Sequence, residues 1–218
     1  MITRIKICCI SSVEEAGLAV SLGASAVGLV GHMPSGPGPI PDDLIRKIAT
    51  TVPPPVATFL LTSETSVNKI IEHHQRTNTN TIQIVDSLSD GNYAQLKESL
   101  KNVKIVQVIH VLNEMSVDEA IRISGMVDAL LLDSGNPNLK IKELGGTGRV
   151  HDWRLSRMIR EKSKCPVFLA GGLNPGNVQR AIEEVEPFGV DVCSGVRTGG
   201  KLDIQKLRSF IKNVMQPG

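Results

Sequence analysis

The chain has 218 residues, 41% of them hydrophobic and 21% charged. That composition fits one soluble globular domain, residues 1–218, with room for a sizeable core. A net charge of +2 with no basic run makes nucleic acid a poor partner, and no segment approaches the ~18 consecutive apolar residues of a membrane helix. The four cysteines lack CxxC or Cys/His spacing, so neither a metal site nor a disulfide framework is expected, and a reducing cytoplasm suits them.

In chain order, one unit repeats: a short apolar run, a loop with Gly or Pro, then an amphipathic helical pattern. Ile5–Ile10 is the first run, with Lys6 and Cys8 on one face by the period of two and Cys9 on the other. Helix Ser12–Leu22 follows, and Ser12 with Glu15 reads as a capping box. Then come run Ala26–Val30, a Pro-Gly loop over Pro34–Pro41 and helix Asp42–Thr50. Val56–Leu61 precedes helix Glu64–Gln75, Thr81–Val85 precedes Asn92–Leu100, and Val103–Ile109 precedes Ser116–Ser124. Ala129–Asp133 leads through a long loop to Asp152–Lys162, Val167–Ala170 to Pro175–Val185, and Val190–Cys193 to Asp203–Val214.

Strands apolar along their length need cover on both faces, and strict alternation with helices makes them parallel. Eight such units predict a (βα)8 TIM barrel. An open doubly wound sheet is less apt, because no GxGxxG follows the first run and eight units exceed the usual six. Low aromatic content, 3%, agrees with a barrel filled by branched aliphatics.

A barrel of this kind builds its site at the C-terminal ends of its strands. Gly145-Gly146-Thr147-Gly148 lies after the sixth run, Gly171-Gly172 after the seventh, and Ser194-Gly195 after the eighth, with Gly199-Gly200 beyond. Each alone reads as turn glycines. Three at consecutive strand ends point to a phosphate cradle of backbone N–H groups backed by helix N-termini. Cys8 alone is a small buried hydrophobe and Asp133 alone a loop cap. Together at one barrel mouth they form a base and acid pair.

At these residues the chain resembles the phosphoribosylanthranilate isomerase family over nearly its full length. The resemblance is carried by Lys6-Ile7-Cys8, Ile82-Gln83, Leu131-Leu132-Asp133, Gly145 to Gly148, and Asp152-Trp153. It is strongest in Leu169-Ala170-Gly171-Gly172-Leu173-Asn174, Asn177-Val178 and Gly189 to Val196. It implies an Amadori rearrangement in tryptophan biosynthesis, with Asp133 as general acid, Cys8 as general base, Lys6 and Gln83 at the substrate, and no cofactor or metal.

The aglycone side departs from the family. Gly38 stands where an arginine grips the anthranilate carboxylate, Gly31 at a usual Phe, Cys9 at a glycine, Gln107 at a common lysine and Arg197 at a glutamate. His32, His110 and Arg197 are candidates for the missing carboxylate contact. Three readings stay open: the tryptophan-pathway isomerase, an isomerase of another phosphoribosyl amine, and a barrel that binds a sugar phosphate without turnover. The partner in each is a small phosphorylated molecule, and the chain is a monomer or a homodimer.

Overall fold

The structure, a computed structural model, describes residues 2–216. Eight parallel strands close into a barrel: β1 (Arg4–Ile7), β2 (Ala26–Val30), β3 (Ala57–Thr62), β4 (Thr81–Ile84), β5 (Lys104–His110), β6 (Ala129–Asp133), β7 (Val167–Leu169) and β8 (Gly189–Val192). Closure is the pairing of β1 with both β2 and β8. Around the strands stand α1 (Val13–Ser21), α2 (Asp42–Thr51), α3 (Val67–Thr77), α4 (Tyr93–Ser99), α5 (Met115–Ser124), α6 (Trp153–Lys162), α7 (Val178–Val185) and α8 (Ile204–Met215). The expected (βα)8 architecture is therefore present. No helix among the described residues is long and apolar enough to cross a membrane.

The two-residue period of the strands sorts side chains into two layers. Ile5, Ile7, Val27, Leu29, Leu60, Ile82 and Ile84 pack outward with the helices. Ala26, Val30, Phe59, Leu61, Val106, Val108, Leu131 and Phe168 fill the interior. Phe59 and Phe168 meet edge to face at 6.0 Å.

Into this apolar interior β1 and β8 send a charge each. Their register sets Lys6 opposite Asp191, and Lys6 Nζ lies 2.9 Å from Asp191 Oδ1. Lys6 is 0% exposed, and its ammonium also rests 5.3 Å from the centre of the Phe59 ring. Gly28 makes the space: a Cβ there would lie 3.0 Å from Lys6 Nζ and 2.8 Å from Cys8 Sγ.

Several boundaries differ from the sequence pattern for local reasons. β1 ends at Ile7 rather than Ile10, because Cys9 takes the left-handed backbone (φ 60°). α3 starts at Val67 rather than Glu64, since the Glu64 N–H is taken by Thr62 Oγ1 (3.2 Å), and it ends against left-handed Asn78. Ser12 does cap α1, accepting from the Glu15 N–H (3.2 Å), but the Glu15 carboxylate serves the Ser11 N–H and Arg197, so the box is one-armed. The reciprocal box is at Asn92 and Gln95 instead.

β8 does not run straight into α8. A three-residue 3-10 turn, Ser194–Val196, and a small hairpin of β9 (Arg197–Thr198) and β10 (Lys201–Leu202) intervene. Gly199 and Gly200 form the hairpin tip, outside any cradle.

A buried ammonium that loses its carboxylate keeps the desolvation penalty without the attraction. Asp191→Leu alone should therefore cost about 3–5 kcal/mol of unfolding free energy in denaturant titration. Adding Lys6→Met should return most of that loss; a double variant as unstable as the single would contradict the pairing.

Candidate active site

The strand ends and the loops after them enclose a pocket of about 710 Å³, its open mouth included. The first group on its wall is Cys8, just past β1. Its backbone N–H donates to Val192 O (2.8 Å), which fixes the thiol between β1 and β8. A hydrogen bond from the Cys9 thiol lowers the Cys8 pKa; burial opposes this, and the Lys6 ammonium adds to the lowering. Burial by itself disfavours the Lys6 charge, but Asp191 and Cys8 hold it protonated, with its pKa above the ordinary lysine value.

Cys9 also lines the pocket, contrary to strand alternation, because its left-handed φ breaks the period. Its thiol is pushed well up by hydrogen bonds to Cys193 and Cys8 and by burial. It therefore stays neutral, and it donates to Pro37 O (3.7 Å).

Asp133, the last residue of β6, lines the same pocket and is buried. Burial raises its pKa, opposed by the Ser134 N–H (2.8 Å) and by His110. One pocket thus holds a thiol pushed toward the anion and a carboxyl pushed toward the neutral acid. Asp191 is the residue the sequence reading left out. An acid inside the apolar run of β8 was the available signal, of the same kind that singled out Asp133.

Gly145, Gly146, Thr147 and Gly148 border the pocket together with Gly171, Gly172 and Ser194. Among the described residues, the N–H groups of Gly146, Gly148, Gly171 and Gly172 make no backbone hydrogen bond, as an anion site requires. Close approach explains the glycines. A Cβ at Gly172 would sit 2.7 Å from the Arg149 backbone, and one at Gly171 would sit 3.0 Å from His151 Nδ1. Asn174 and Asn177 amides pin the turn by donating to Gly172 O (3.3 and 3.0 Å). Ser134 Oγ and Thr147 Oγ1 are 2.8 Å apart. Gly195 is not on the wall; a Cβ there would come 2.0 Å from Leu173 O, so it lets the 3-10 turn press against the loop after β7. A 3-10 turn, not a helix N-terminus, thus follows β8 directly; α8 begins only at Ile204, and its first N–H groups are taken by Asp203.

The opposite side is apolar: Val30, Met33, Leu61, Val85 and Leu144. Gln83 is buried on this wall, and its Oε1 has no partner among the described residues. Four proposed contacts do not reach the wall, Lys6 among them, since it is 0% exposed beneath Cys8. His32 is exposed on the loop after β2. His110 is buried behind the wall, its Nε2 3.0 Å from Val85 O. Arg197 is committed to Glu15 (2.9 Å) and to the carbonyls of Cys9 and Gly200. Gln107 bonds Tyr93 and backbone carbonyls, a structural role.

The Pro-Gly loop after β2 crosses to the loop after β6. Ser35 Oγ donates to Lys142 O (2.6 Å), and Pro37 packs on Gly146 so tightly that a Cβ there would lie 2.5 Å away. Gly38, at φ 89°, fits against Cys9: a Cβ would be 2.7 Å from Cys9 Cβ. The two departures from the family pattern therefore form a pair, the side chain at 9 occupying space left free at 38.

The family model described as N-(5'phosphoribosyl)anthranilate (PRA) isomerase matches residues 5–213. The chain is 40% identical to the N-(5'-phosphoribosyl)anthranilate isomerase of Desulforudis audaxviator, across 96% of this chain and 97% of that protein. The phosphoribosyl anthranilate isomerase of Thermotoga maritima superposes with a TM-score of 0.79 at 31% identity, covering 97% of this chain and 98% of the other. A phosphoribosyl anthranilate isomerase crystallised with reduced 1-(o-carboxyphenylamino)-1-deoxyribulose 5-phosphate gives 0.77 at 29% identity and the same coverage.

Two outcomes test this geometry. Alkylation of Cys8, followed by peptide mass mapping, should show a midpoint pH below that of an ordinary thiol. The midpoint should move up in Cys9→Gly, which removes the donor; an unmoved midpoint would show that Cys9 does not tune Cys8. Gly38→Arg should cost about 1–3 kcal/mol in thermal or chemical unfolding, from overpacking and the positive φ. Part of that cost should return when Cys9→Gly is added.

Proposed function

The chain belongs to the N-(5'-phosphoribosyl)anthranilate isomerase family, and from that premise we propose that it rearranges N-(5'-phosphoribosyl)anthranilate at the barrel mouth, with Cys8 as base and Asp133 as acid. The observation that carries this reading is the opposite displacement of two titratable groups in one pocket. A depressed thiol and a raised carboxyl increase the fraction of molecules that hold thiolate and neutral acid together, the state the reaction needs.

The step is balanced by those two groups. Asp133 gives a proton to the ribose ring oxygen as its bond to C1′ breaks, and the aglycone nitrogen forms the C1′ iminium. The Cys8 thiolate then removes the C2′ proton, and the electron pair neutralises the iminium; the resulting enol-amine gains a proton at C1′ and loses its O2′ proton to give the aminodeoxyribulose, while Cys8 gives up its proton and Asp133 regains one. The iminium charge passes close to Cys8, so base and cation favour each other. Lys6 is a positioning residue: it holds a positive charge behind Cys8 and is itself anchored by Asp191.

Gly145, Gly146, Thr147, Gly171, Gly172 and Ser194 would receive the phosphate through backbone N–H groups, with Gly195 shaping the turn behind them. Gln83 Oε1 offers an acceptor for a sugar hydroxyl or the aglycone N–H. Every group named comes from one chain, so a monomer suffices for the chemistry. Cys8 must remain a free thiol, which places the reaction in a reducing compartment such as the cytoplasm. A second reading, an isomerase of a different phosphoribosyl amine, draws on the absence of a cation from the wall among the described residues.

Cys8→Ser and Asp133→Asn should each lower kcat on N-(5'-phosphoribosyl)anthranilate by roughly 10²-fold or more, with KM changing much less. Near wild-type turnover in either variant removes that residue from its role. Wild type without activity on this substrate, and without complementation of a tryptophan auxotroph lacking the step, would shift the reading to another amine.

A further inference from the structure

We propose that Lys142 selects a carboxylate-bearing aglycone by exchanging its present partner, Asp86, for the substrate's carboxylate. The inference rests on the reaction proposed above and deepens it by naming what recognises the far end of the substrate.

That substrate is anionic at both ends, with a phosphate at one and an aryl carboxylate at the other. Backbone N–H groups serve the first. The apolar wall at the second suits an aromatic ring, but a carboxylate taken from water without a partner is costly. Gly38 has no side chain to offer. The cations paired around the mouth are committed elsewhere. Lys6 is sealed beneath Cys8 and held by Asp191. Arg197 is tied to Glu15. Arg149 has its backbone against Gly172 on the phosphate side and its guanidinium on Glu143.

Lys142 is placed differently. Its carbonyl accepts from Ser35, a wall residue, and it stands two positions before Leu144, also on the wall. Its ammonium lies 2.5 Å from Asp86 Oδ2, and Asp86 directly follows wall residue Val85. Neither Lys142 nor Asp86 is on the pocket lining, but each stands within two residues of one that is, so the loop after β6 carries a cation at the border of the apolar wall. Its side chain is 48% exposed, so solvent surrounds much of its stem and leaves it room to swing.

The present pair has the chemistry of the proposed one, an ammonium on a carboxylate. A lysine stem is flexible and its charge is not tied to one planar geometry. Asp86 is not abandoned by the exchange, because its Oδ1 keeps the Ser87 N–H at 2.8 Å. Asp86 therefore acts as a parking site for the ammonium when no carboxylate is bound.

The experiment compares N-(5'-phosphoribosyl)anthranilate with N-(5'-phosphoribosyl)aniline, which lacks only the carboxylate. Lys142→Met should raise KM for the first about 10-fold or more, the scale of a lost charge-assisted contact, with kcat little changed. It should leave the aniline compound unaffected. Lys142→Arg should restore much of the difference, and Asp86→Asn, which frees the ammonium, should lower KM for the anthranilate compound alone. Equal losses on both compounds, or an unchanged KM, would overturn the proposal. Calorimetric binding of reduced 1-(o-carboxyphenylamino)-1-deoxyribulose 5-phosphate to wild type and Lys142→Met makes the same test without turnover. Failure of wild type to react thus counts against the reaction, whereas equal affinities in the calorimeter count against Lys142.

Discussion

A lysine ammonium buried at the centre of an apolar barrel is the constraint on which the rest of this site depends. Lys6 is stable there only with a carboxylate opposite it, and that carboxylate, Asp191, comes from the strand that closes the barrel. Closure and charge compensation are thus one event. The residue that lets both fit is Gly28, and the Phe59 ring offers its face to the ammonium from the far side. The consequence reaches the chemistry directly, because the same ammonium helps to lower the pKa of the neighbouring Cys8.

The mouth above this floor treats its two ends differently. On the side of β6, β7 and β8 the chain supplies backbone: glycines in left-handed conformations leave N–H groups without backbone partners and let neighbouring loops press together. Backbone donors suit a phosphate, whose oxygens accept from several directions. On the side of β2, β3 and β4 the chain supplies apolar side chains and one buried amide, Gln83. A charged partner there is left to the rim, where the loops after β2 and β6 are tied together through Ser35 and Lys142.

Cys9 and Gly38 illustrate how departures from a family pattern couple. A non-glycine residue at φ 60° carries backbone strain, and its side chain needs a volume that a Cβ at position 38 would occupy. Substituting either residue singly toward the family pattern ignores the other. The thiol at position 9 also has a part of its own, since it donates to Pro37 O and lowers the pKa of Cys8.

The sequence by itself determined the alternation of eight strands and helices, and with it the barrel. Hydrophobic period and Gly/Pro punctuation are local properties that survive in any context. It also exposed Cys8, Asp133 and the glycine clusters, because a polar or flexible residue at the end of an apolar run is conspicuous along the chain. Only the tertiary structure decided what those residues face. Lys6 and Asp191 are 185 positions apart, and nothing local marks them as partners until β1 meets β8. Arg197, a plausible carboxylate holder by position, is drawn away by Glu15 from α1, and His110 turns its ring to the Val85 carbonyl. Cys9 faces the pocket because of one backbone angle that its residue type disfavours. Local pattern sets where the chain turns, but a side chain's partner is chosen by the groups that closure brings within reach, and that choice is not written at either position alone.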